Sequence, residues 1–313
     1  MQPADSRPIS VYLVAASPRC VLCGLCVEFL LGPAQPASMS SELGGKVILV
    51  TGASGGIGSA IARGFANEGA SVVLHYRSGR EAAKALQQEL GVANTLSVRA
   101  DLTREAEVKK LFAQAMKRFG RIDSLIANAG SWETRDVPLQ EMSLAQWRKT
   151  FDGVLTTTFL TAREFLRIVR KQKRGNLVLI ASTAGVFGEA GHADYAAAKA
   201  AIAYGLTRTL KNEIARLAPH TRDYCGGRVN CICPGWTVVP RLAAKLRDRQ
   251  ALRKVTATMA LPRLGRSEDV ANAAVFLASD KLSRHMTGQT MVLAGGMEGR
   301  LLWKPDEIDP DLV

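Results

Sequence analysis

The sequence has few aromatic residues and lacks a long apolar run. Phe, Trp and Tyr make up 6% of the 313 residues, whereas alanine and glycine are abundant. Small side chains let helices lie close to a sheet, so this balance favours tightly packed α/β layers. The apolar stretch at residues 21–31 is interrupted by Glu28 and is too short to cross a bilayer, so we predict no membrane partner.

The sequence also lacks a recognisable DNA- or RNA-binding motif, although its net charge is +13. Basic residues are spread along the chain and are densest at residues 163–174 and 241–254, where no aromatic pattern accompanies them. Solvated helix faces explain these charges. A basic rim that attracts a phosphorylated cofactor or an acidic carrier protein is the alternative. We therefore expect no nucleic-acid partner.

The six cysteines do not form a complete metal-binding pattern. The C-x-x-C-x-x-C run at residues 20–26 resembles part of an iron–sulfur ligand set, but it has no fourth ligand. Cys225, Cys231 and Cys233 lie in or beside a predicted strand, where buried free thiols in a reducing compartment explain them. We predict no metal site.

Residues 1–45 differ in composition from the rest of the chain. They are rich in Pro, Ala, Ser and Cys and show no amphipathic period. This segment is a disordered extension, an organelle-targeting or signal segment, or a stretch that precedes a true start at Met39. A cytoplasmic location is expected if it is not a targeting segment. The folded domain is predicted to begin at residue 46.

From residue 46 to residue 313, continuous apolar runs alternate with helical stretches over short connections. Such runs are typical of parallel strands that are covered on both faces. The alternation predicts one α/β domain with a doubly wound, Rossmann-like sheet of seven parallel strands, whose ligands bind beyond the carboxyl ends of the strands. The predicted strands are residues 47–50, 71–75, 95–99, 124–127, 176–181, 228–233 and 290–293, and helices are predicted to begin near residues 56, 80, 104, 139, 193, 239 and 267.

A glycine-rich turn follows the first predicted strand, with the sequence T-G-A-S-G-G-I-G at residues 51–58. Glycine permits the tight reversal and lets backbone N–H groups approach a pyrophosphate. The helix that follows directs the positive end of its dipole at the same point. This turn is therefore a candidate dinucleotide-binding site.

Tyr195 and Lys199 are four residues apart, so on a helix they share one face. Ser182 stands thirteen residues before Tyr195, at the end of the fifth predicted strand. A phenol has an ordinary pKa of about 10, and a neighbouring ammonium would lower that pKa towards neutrality. The three residues are thus candidates for acid–base chemistry on a carbonyl group. A buried tyrosine beside a snorkelling lysine is the alternative.

Together these motifs resemble the short-chain dehydrogenase/reductase family over residues 46 to about 298, and most of all its 3-oxoacyl-[acyl-carrier-protein] reductases. The T-G-x-x-x-G-x-G spacing of the turn is the family's spacing. Asp101-Leu102-Thr103, the A-N-A-G run at residues 127–130, and Pro234-Gly235 match further family motifs in order.

The resemblance implies a role for each matched residue. Tyr195 is the implied acid–base, Lys199 lowers its pKa and contacts the nicotinamide ribose, and Ser182 orients the substrate. The implied cofactor-binding residues are Gly52, Ser54, Gly56, Ile57, Gly58, Arg77, Ser78, Asp101, Leu102, Asn128, Ala129, Gly130, Tyr195, Lys199, Pro234, Gly235 and Thr237.

The end of the second predicted strand bears on the choice of cofactor. NAD-preferring relatives carry an acidic residue there, whereas this chain has Tyr76 followed by Arg77 and Ser78, and further basic residues at positions 80 and 84. A guanidinium binds phosphate through two parallel hydrogen bonds, so we predict NADP(H) in preference to NAD(H). Gly55 is the opposing signal, because many NADP-dependent relatives have a basic residue at its position.

One position departs from the family pattern. Val154 stands where the family often has an asparagine that supports a water-linked proton relay to Lys199. Either the relay runs through Thr156 or Thr157, or turnover is slow or absent. The second case would leave a cofactor-binding sensor or scaffold as the alternative function.

The implied reaction interconverts a carbonyl and a secondary alcohol on a small molecule, with a carrier-bound 3-oxoacyl thioester as a candidate. His192 either borders the substrate pocket or is an ordinary loop histidine, and Asp194 is expected to be solvated or to cap a helix. Relatives assemble through two long helices, predicted here at residues 151–173 and 193–217. We therefore expect a homotetramer or homodimer.

Overall fold

The central sheet consists of parallel strands with helices on both faces. The computed structural model describes residues 40–133, 135–240 and 249–300. The strands are β1 Val47–Val50, β2 Ser71–Tyr76, β3 Thr95–Arg99, β4 Ser124–Ala127, β5 Asn176–Ile180, β6 Arg228–Pro234, β7 Thr237–Val238, β8 Gly265–Arg266 and β9 Thr290–Leu293. Seven of them form one sheet in the order β3-β2-β1-β4-β5-β6-β9, and every pairing in it is parallel. The predicted doubly wound architecture is confirmed.

Helices follow most of these strands. They are α1 Gly56–Asn67, α2 Arg80–Leu90, α3 Glu105–Phe119, α4 Leu144–Phe151, α5 Thr157–Gln172, α6 Ala184–Phe187, α7 Ala193–Ala200, α8 Thr207–Leu217, α9 Arg249–Thr256 and α10 Ser267–Ala278. In the part of the chain that the structure describes, no helix is long and apolar enough to span a bilayer.

The continuous apolar strands arise because both faces of the sheet are buried. Ile48 and Leu49 are adjacent on β1 and both fully buried, but they belong to separate core clusters on opposite faces. Phe165 of α5 packs into one cluster and Phe65 of α1 into the other. Burial of one such side chain contributes about 1.5–3 kcal/mol, so the two layers together fix the carboxyl edge of the sheet, where the site lies.

Each of the two predicted long helices contains a π-helical turn. Asp152–Thr156 joins α4 to α5, and Ala201–Leu206 joins α7 to α8. In the second turn the Thr207 hydroxyl donates to the carbonyl of Ile202, five residues earlier, at 2.7 Å. Such turns displace the helix axis locally and are frequent at functional sites.

The helix predicted from near residue 139 begins later. A single 3₁₀ turn covers Leu139–Glu141, and α4 starts at Leu144 because the Ser143 side chain caps it by accepting the Gln146 N–H at 3.1 Å. The helix predicted from near residue 239 falls mostly on residues 241–248, outside the described part of the chain. The residues before it form β7, which pairs in parallel with β8.

The folded unit includes residues that the sequence analysis assigned to the extension. Ser41 and Leu43 are buried, at 4% and 3% exposure. The Ser41 carbonyl accepts a hydrogen bond from the Ser279 hydroxyl at 2.7 Å, which fixes this segment beside the end of α10. Residues 1–39, including the cysteine run at 20–26, lie outside the described residues. Cys225, Cys231 and Cys233 are free thiols, as predicted, and the last two are fully buried.

Candidate active site

The glycine-rich turn is held in place by a buried histidine. Gly52 has a φ of +68° and donates its backbone N–H to Nδ1 of His75 at 2.9 Å, while Nε2 of His75 lies 3.0 Å from the Ala100 carbonyl oxygen. Since a carbonyl can only accept, the His75 proton is on Nε2 and Nδ1 is the acceptor. His75 thereby connects the ends of β1, β2 and β3. Sequence reasoning missed this role, because His75 looks like one polar residue in an apolar strand.

Burial lowers the pKa of His75 from 6.5 to about 4, so its ring is neutral at physiological pH. The unfolded chain takes up a proton at this residue near pH 6.5, whereas the folded chain does so only near pH 4. Stability from neutral His75 is therefore present above pH 6.5 and is lost as the pH falls towards 4, by up to about 3 kcal/mol. We expect His75→Asn, whose side-chain oxygen can accept from Gly52, to show a shallower fall in the free energy of unfolding between pH 6.5 and 4.5.

Urea unfolding measured at several pH values checks this prediction. The exposed His285 supplies the matched control, because His285→Asn should keep the slope of the wild-type protein. Equal slopes for His75→Asn and the wild type would contradict the assignment.

The turn also contacts the loop after β4. The Thr51 hydroxyl accepts the backbone N–H groups of Asn128 and Ala129, both at 2.9 Å, and the Asn128 side chain donates to the Thr51 carbonyl at 2.9 Å. A Cβ on Gly58 would lie 2.2 Å from the carbonyl oxygen of Gly52, so only glycine fits at that position. The structure thus brings residues 51–58 and 128–130 together, and that they form one cofactor site stays a prediction.

An open pocket of about 640 Å³ lies beyond the ends of β2 and β3. Tyr76 on β2 is paired with Arg99 on β3, and the Arg99 guanidinium donates to the Arg77 carbonyl at 3.2 Å. The pocket brings four guanidinium groups together, which suits a phosphate-bearing nucleoside. The lining residues are Tyr76, Arg77, Ser78, Arg80, Arg99, Asp101, Arg104 and Glu107.

Only part of this pocket was predicted from the sequence. Tyr76, Arg77, Ser78, Arg80 and Asp101 were named, whereas Arg99 and Arg104 were not, because their proximity depends on the parallel pairing of β2 with β3. Lys84 does not line the pocket. Hydrogen bonds from the Thr103 hydroxyl and N–H, at 2.7 and 3.0 Å, lower the pKa of Asp101 and keep it ionised.

Other residues predicted to contact a cofactor lie on the loops that follow β1, β3 and β6. Gly235 donates to the Leu293 carbonyl at 2.9 Å, and the Thr237 hydroxyl donates to the Gly235 carbonyl at 3.0 Å. Leu102 is buried beside the pocket. The Ser54 hydroxyl lies 2.8 Å from where a Cβ on Gly79 would be, so it borders the loop that carries Arg77 and Ser78.

Lys199 and Tyr195 lie next to each other on α7. Lys199 is 4% exposed, its ammonium donates to the Ile180 carbonyl at 2.7 Å, and its Nζ is 5.7 Å from the centre of the Tyr195 ring. Burial lowers the pKa of Lys199 to about 8, although the nearby Cys231 and Cys233 act to raise it. Lys199 therefore remains mostly charged at neutral pH, and its positive charge favours the phenolate form of the half-buried Tyr195.

Ser182 comes just after β5, on a turn that is fixed against α7. Its hydroxyl accepts the Ala184 N–H at 3.1 Å. The next glycine, Gly185, packs so tightly that a Cβ there would lie 2.5 Å from the backbone nitrogen of Ala200. The structure thus brings together the elements that carry Ser182, Tyr195 and Lys199.

Val154 is fully buried in the first π turn, close to Lys199. A Cβ on Gly130 would lie 3.9 Å from a methyl of Val154 and 3.6 Å from Nζ of Lys199. The hydroxyls of Thr156 and Thr157 donate to groups of their own turn, at 3.0–3.2 Å. That either threonine replaces the asparagine in a water-linked relay stays a prediction.

Asp194 is buried, which contradicts the solvated alternative. Its exposure is 1%, and its carboxylate accepts the Thr150 hydroxyl at 2.6 Å and the Gln146 amide at 3.3 Å. The other oxygen accepts the N–H of Tyr195 at 2.8 Å. Asp194 therefore fixes the start of α7 against α4, and so fixes the position of Tyr195.

His192 is also buried, and an aromatic neighbour links it to Tyr195. The Trp132 ring lies 4.9 Å from the His192 ring, edge to face, and 6.1 Å from the Tyr195 ring. Nε2 of His192 is 3.0 Å from a carboxylate oxygen of Asp136. His192 is thus buried beside a ring that also contacts Tyr195, and that it borders the substrate pocket stays a prediction. Trp132 and Asp136 were missed, because neither belongs to a recognisable motif.

In the part of the chain that the structure describes, no group of three or more His, Cys, Asp or Glu side chains could hold a metal ion.

Comparison with known proteins agrees with this geometry. The family model described as "Enoyl-(Acyl carrier protein) reductase" matches residues 52–298. A 3-oxoacyl-[acyl-carrier-protein] reductase of Synechocystis is 36% identical over 260 residues, which are 82% of this chain and 98% of that protein. The Escherichia coli 3-oxoacyl-[acyl-carrier-protein] reductase is 34% identical over 81% of this chain and 97% of its own. A rabbit (Oryctolagus cuniculus) L-fucose dehydrogenase is 37% identical, over 81% and 85% respectively.

The family model covers most of the chain, and each of these relatives exceeds 30% identity over about four fifths of it. The protein is an NAD(P)-dependent oxidoreductase that acts on carbonyl and CH–OH groups. The chain belongs to the short-chain dehydrogenase/reductase family.

Proposed function

We propose that this protein reduces the keto group of a 3-oxoacyl thioester to a secondary alcohol with NADPH. The observation that carries the proposal is the buried Lys199 ammonium, 5.7 Å from the centre of the Tyr195 ring at the carboxyl edge of the sheet. The names of the Synechocystis and Escherichia coli relatives support the substrate class.

In this proposal each side chain has one role. Bound NADPH supplies a hydride to the carbonyl carbon. The Tyr195 hydroxyl donates its proton to the carbonyl oxygen, and the Lys199 ammonium stabilises the phenolate that remains. The Ser182 hydroxyl hydrogen-bonds the same oxygen and keeps it near Tyr195. The Ile180 carbonyl and the packing of Asp194 hold Lys199 and Tyr195 in this arrangement.

A β-ketoacyl thioester assay tests this function. Purified protein with NADPH and the 3-oxobutanoyl thioester of N-acetylcysteamine should show loss of NADPH absorbance, with 3-hydroxybutanoyl thioester as the product. NADPH binding without turnover of this thioester, or of its longer-chain homologues, would overturn the proposed substrate class and favour the sensor alternative.

The cofactor preference for NADP(H) is supported by the arginines of the 640 Å³ pocket. We expect Arg77→Ala to lower the ratio of kcat/KM for NADPH to kcat/KM for NADH by about 10- to 100-fold, since hydrogen bonds to charged groups contribute about 1.5–3 kcal/mol. Lys84→Ala is the matched control, because Lys84 is basic and nearby but does not line the pocket. An unchanged ratio in Arg77→Ala would contradict the assignment of Arg77 to the 2′-phosphate.

An acyl chain borne on a carrier protein would fit the basic charge of this chain, +13 overall, because carrier proteins of this kind are acidic partners. Assembly as a homotetramer or homodimer and a cytoplasmic location stay predictions.

A further inference from the structure

A buried histidine nitrogen near Tyr195 has no hydrogen-bond partner within the part of the chain that the structure describes. His192 is 3% exposed and lies three residues before Tyr195, at the start of α7. Its Nδ1 is buried and unpartnered among the described residues. An unsatisfied buried acceptor typically costs about 1–3 kcal/mol, so such an atom calls for an explanation.

The neighbours of His192 determine which nitrogen carries the proton. Nε2 is 3.0 Å from the carboxylate of Asp136, whose side chain is 78% exposed. A carboxylate only accepts, so Nε2 is a donor, and in the neutral tautomer that fits this contact Nδ1 holds a lone pair. Because Nε2 is directed towards the surface carboxylate, Nδ1 is left on the buried side of the ring.

The position of this pair is fixed by close packing. The Val137 N–H donates to the Gly191 carbonyl at 2.9 Å, and Gly191 has a φ of +80°. A Cβ on Gly191 would lie 2.9 Å from Cβ of Asp136, so the Asp136 loop reaches His192 only because residue 191 is glycine. On the other side, Trp132 contacts the rings of both His192 and Tyr195.

We propose that His192 is a substrate-binding residue whose Nδ1 accepts a hydrogen bond from an N–H or O–H group of the substrate, near the carbonyl that Tyr195 protonates. This inference rests on the proposed function. Two sources supply the same chemistry: the amide N–H of a thioester's pantetheine arm and a hydroxyl near the keto group of a hydroxylated substrate. A substrate without either donor leaves Nδ1 unsatisfied and is therefore discriminated against.

Matched pairs of probes distinguish the two sources. The first pair is the 3-oxobutanoyl thioester of N-acetylcysteamine and its N-methyl amide, which lacks the N–H. The second pair is 4-hydroxy-2-butanone and its methyl ether, which lacks the hydroxyl. In at least one pair we expect kcat/KM with NADPH to be about 10- to 100-fold higher for the probe that carries the donor. Equal values within both pairs would overturn the proposal.

Two variants separate the role of Nδ1 from a merely structural role. In His192→Gln the amide nitrogen can replace Nε2 and keep the bond to Asp136, but no acceptor remains at the Nδ1 position. In His192→Asn the side-chain oxygen can replace Nδ1, although the chain is too short to reach Asp136. We expect the preference for the donor to be lost in the first variant and retained in the second, with NADPH affinity unchanged in both. Retention of the preference in His192→Gln would overturn the proposal.

A readout independent of turnover separates this inference from the proposed function. The chain has four histidines, so the ¹⁵N signals of the His192 ring can be assigned by comparison with His192→Gln. At neutral pH we expect Nδ1 to have the chemical shift of a lone-pair nitrogen. If no probe is reduced, the proposed function fails while this result still supports the inference. A protonated Nδ1 would overturn the inference whatever the activity.

Discussion

Replacing Tyr195 by phenylalanine should lower kcat for carbonyl reduction by about 1,000-fold and leave the dissociation constant of NADPH nearly unchanged. The substitution removes the hydroxyl that is proposed to donate the proton, and a positioned acid–base group contributes about 10²–10⁴ in rate. The ring that contacts Trp132 and Lys199 is kept, so the fold and the cofactor pocket should be preserved. Single-turnover reduction and NADPH fluorescence titration together measure both quantities.

Tyr204→Phe is the matched control for this prediction. Tyr204 lies on the second π turn, half-buried, and its ring stacks under Arg208. We expect loss of the Tyr204 hydroxyl to change kcat by less than about threefold. Surface substitutions typically change the free energy by no more than about 0.5 kcal/mol, which corresponds to a change of that size. A Tyr195→Phe protein with the activity of Tyr204→Phe would show that another group donates the proton.

The second large effect is expected at the glycine turn. In Gly58→Ala the new Cβ would lie 2.2 Å from the carbonyl oxygen of Gly52 and 2.9 Å from the side-chain nitrogen (Nδ2) of Asn128. The turn must move, and under the proposed function it then loses the geometry that would present backbone N–H groups to the pyrophosphate. We expect NADPH affinity to fall by about 100-fold or more and stability to fall by about 1–3 kcal/mol.

Gly64→Ala on the same helix separates this effect from the general effect of a methyl group. Its Cβ would make ordinary contact with Val275 and Ala271, at 3.4 and 3.5 Å. Alanine also favours the helix by about 1 kcal/mol over glycine, so this variant should be at least as stable as the wild type and should bind NADPH normally. Similar losses of NADPH affinity in the two variants, by isothermal titration, would mean that the turn does not hold the pyrophosphate.

Much of the fold was predictable because it depends on local pattern. Runs such as residues 47–50 and 177–180 are apolar at every position, and this pattern is typical of strands buried on both faces. The end of a strand or helix was less predictable. α4 begins at Leu144 and not near residue 139 because the Ser143 side chain accepts the Gln146 N–H and caps the helix there.

The residues of the candidate site also fall into two groups, those that a short motif reveals and those that only the fold brings together. Tyr195, Lys199 and the glycine turn were identified because each is part of a short spacing that chemistry requires. His75, Arg99 and Asp136 were not, because each reaches the site through pairing or loop packing between distant parts of the chain. At Val154 the sequence showed the departure from the family pattern. It did not show that the neighbouring Thr157 hydroxyl hydrogen-bonds within the π turn.

Transfer of deuterium from NADPH labelled at C4 of the nicotinamide tests the central claim most directly. The wild-type protein and Tyr195→Phe would be incubated with each stereospecifically labelled NADPH and the 3-oxobutanoyl thioester, and the product analysed by mass spectrometry. The account predicts one deuterium on the carbinol carbon with only one of the two labels, and almost no product from Tyr195→Phe. Tight NADPH binding with no deuterium in any product, or equal product from both proteins, would contradict it.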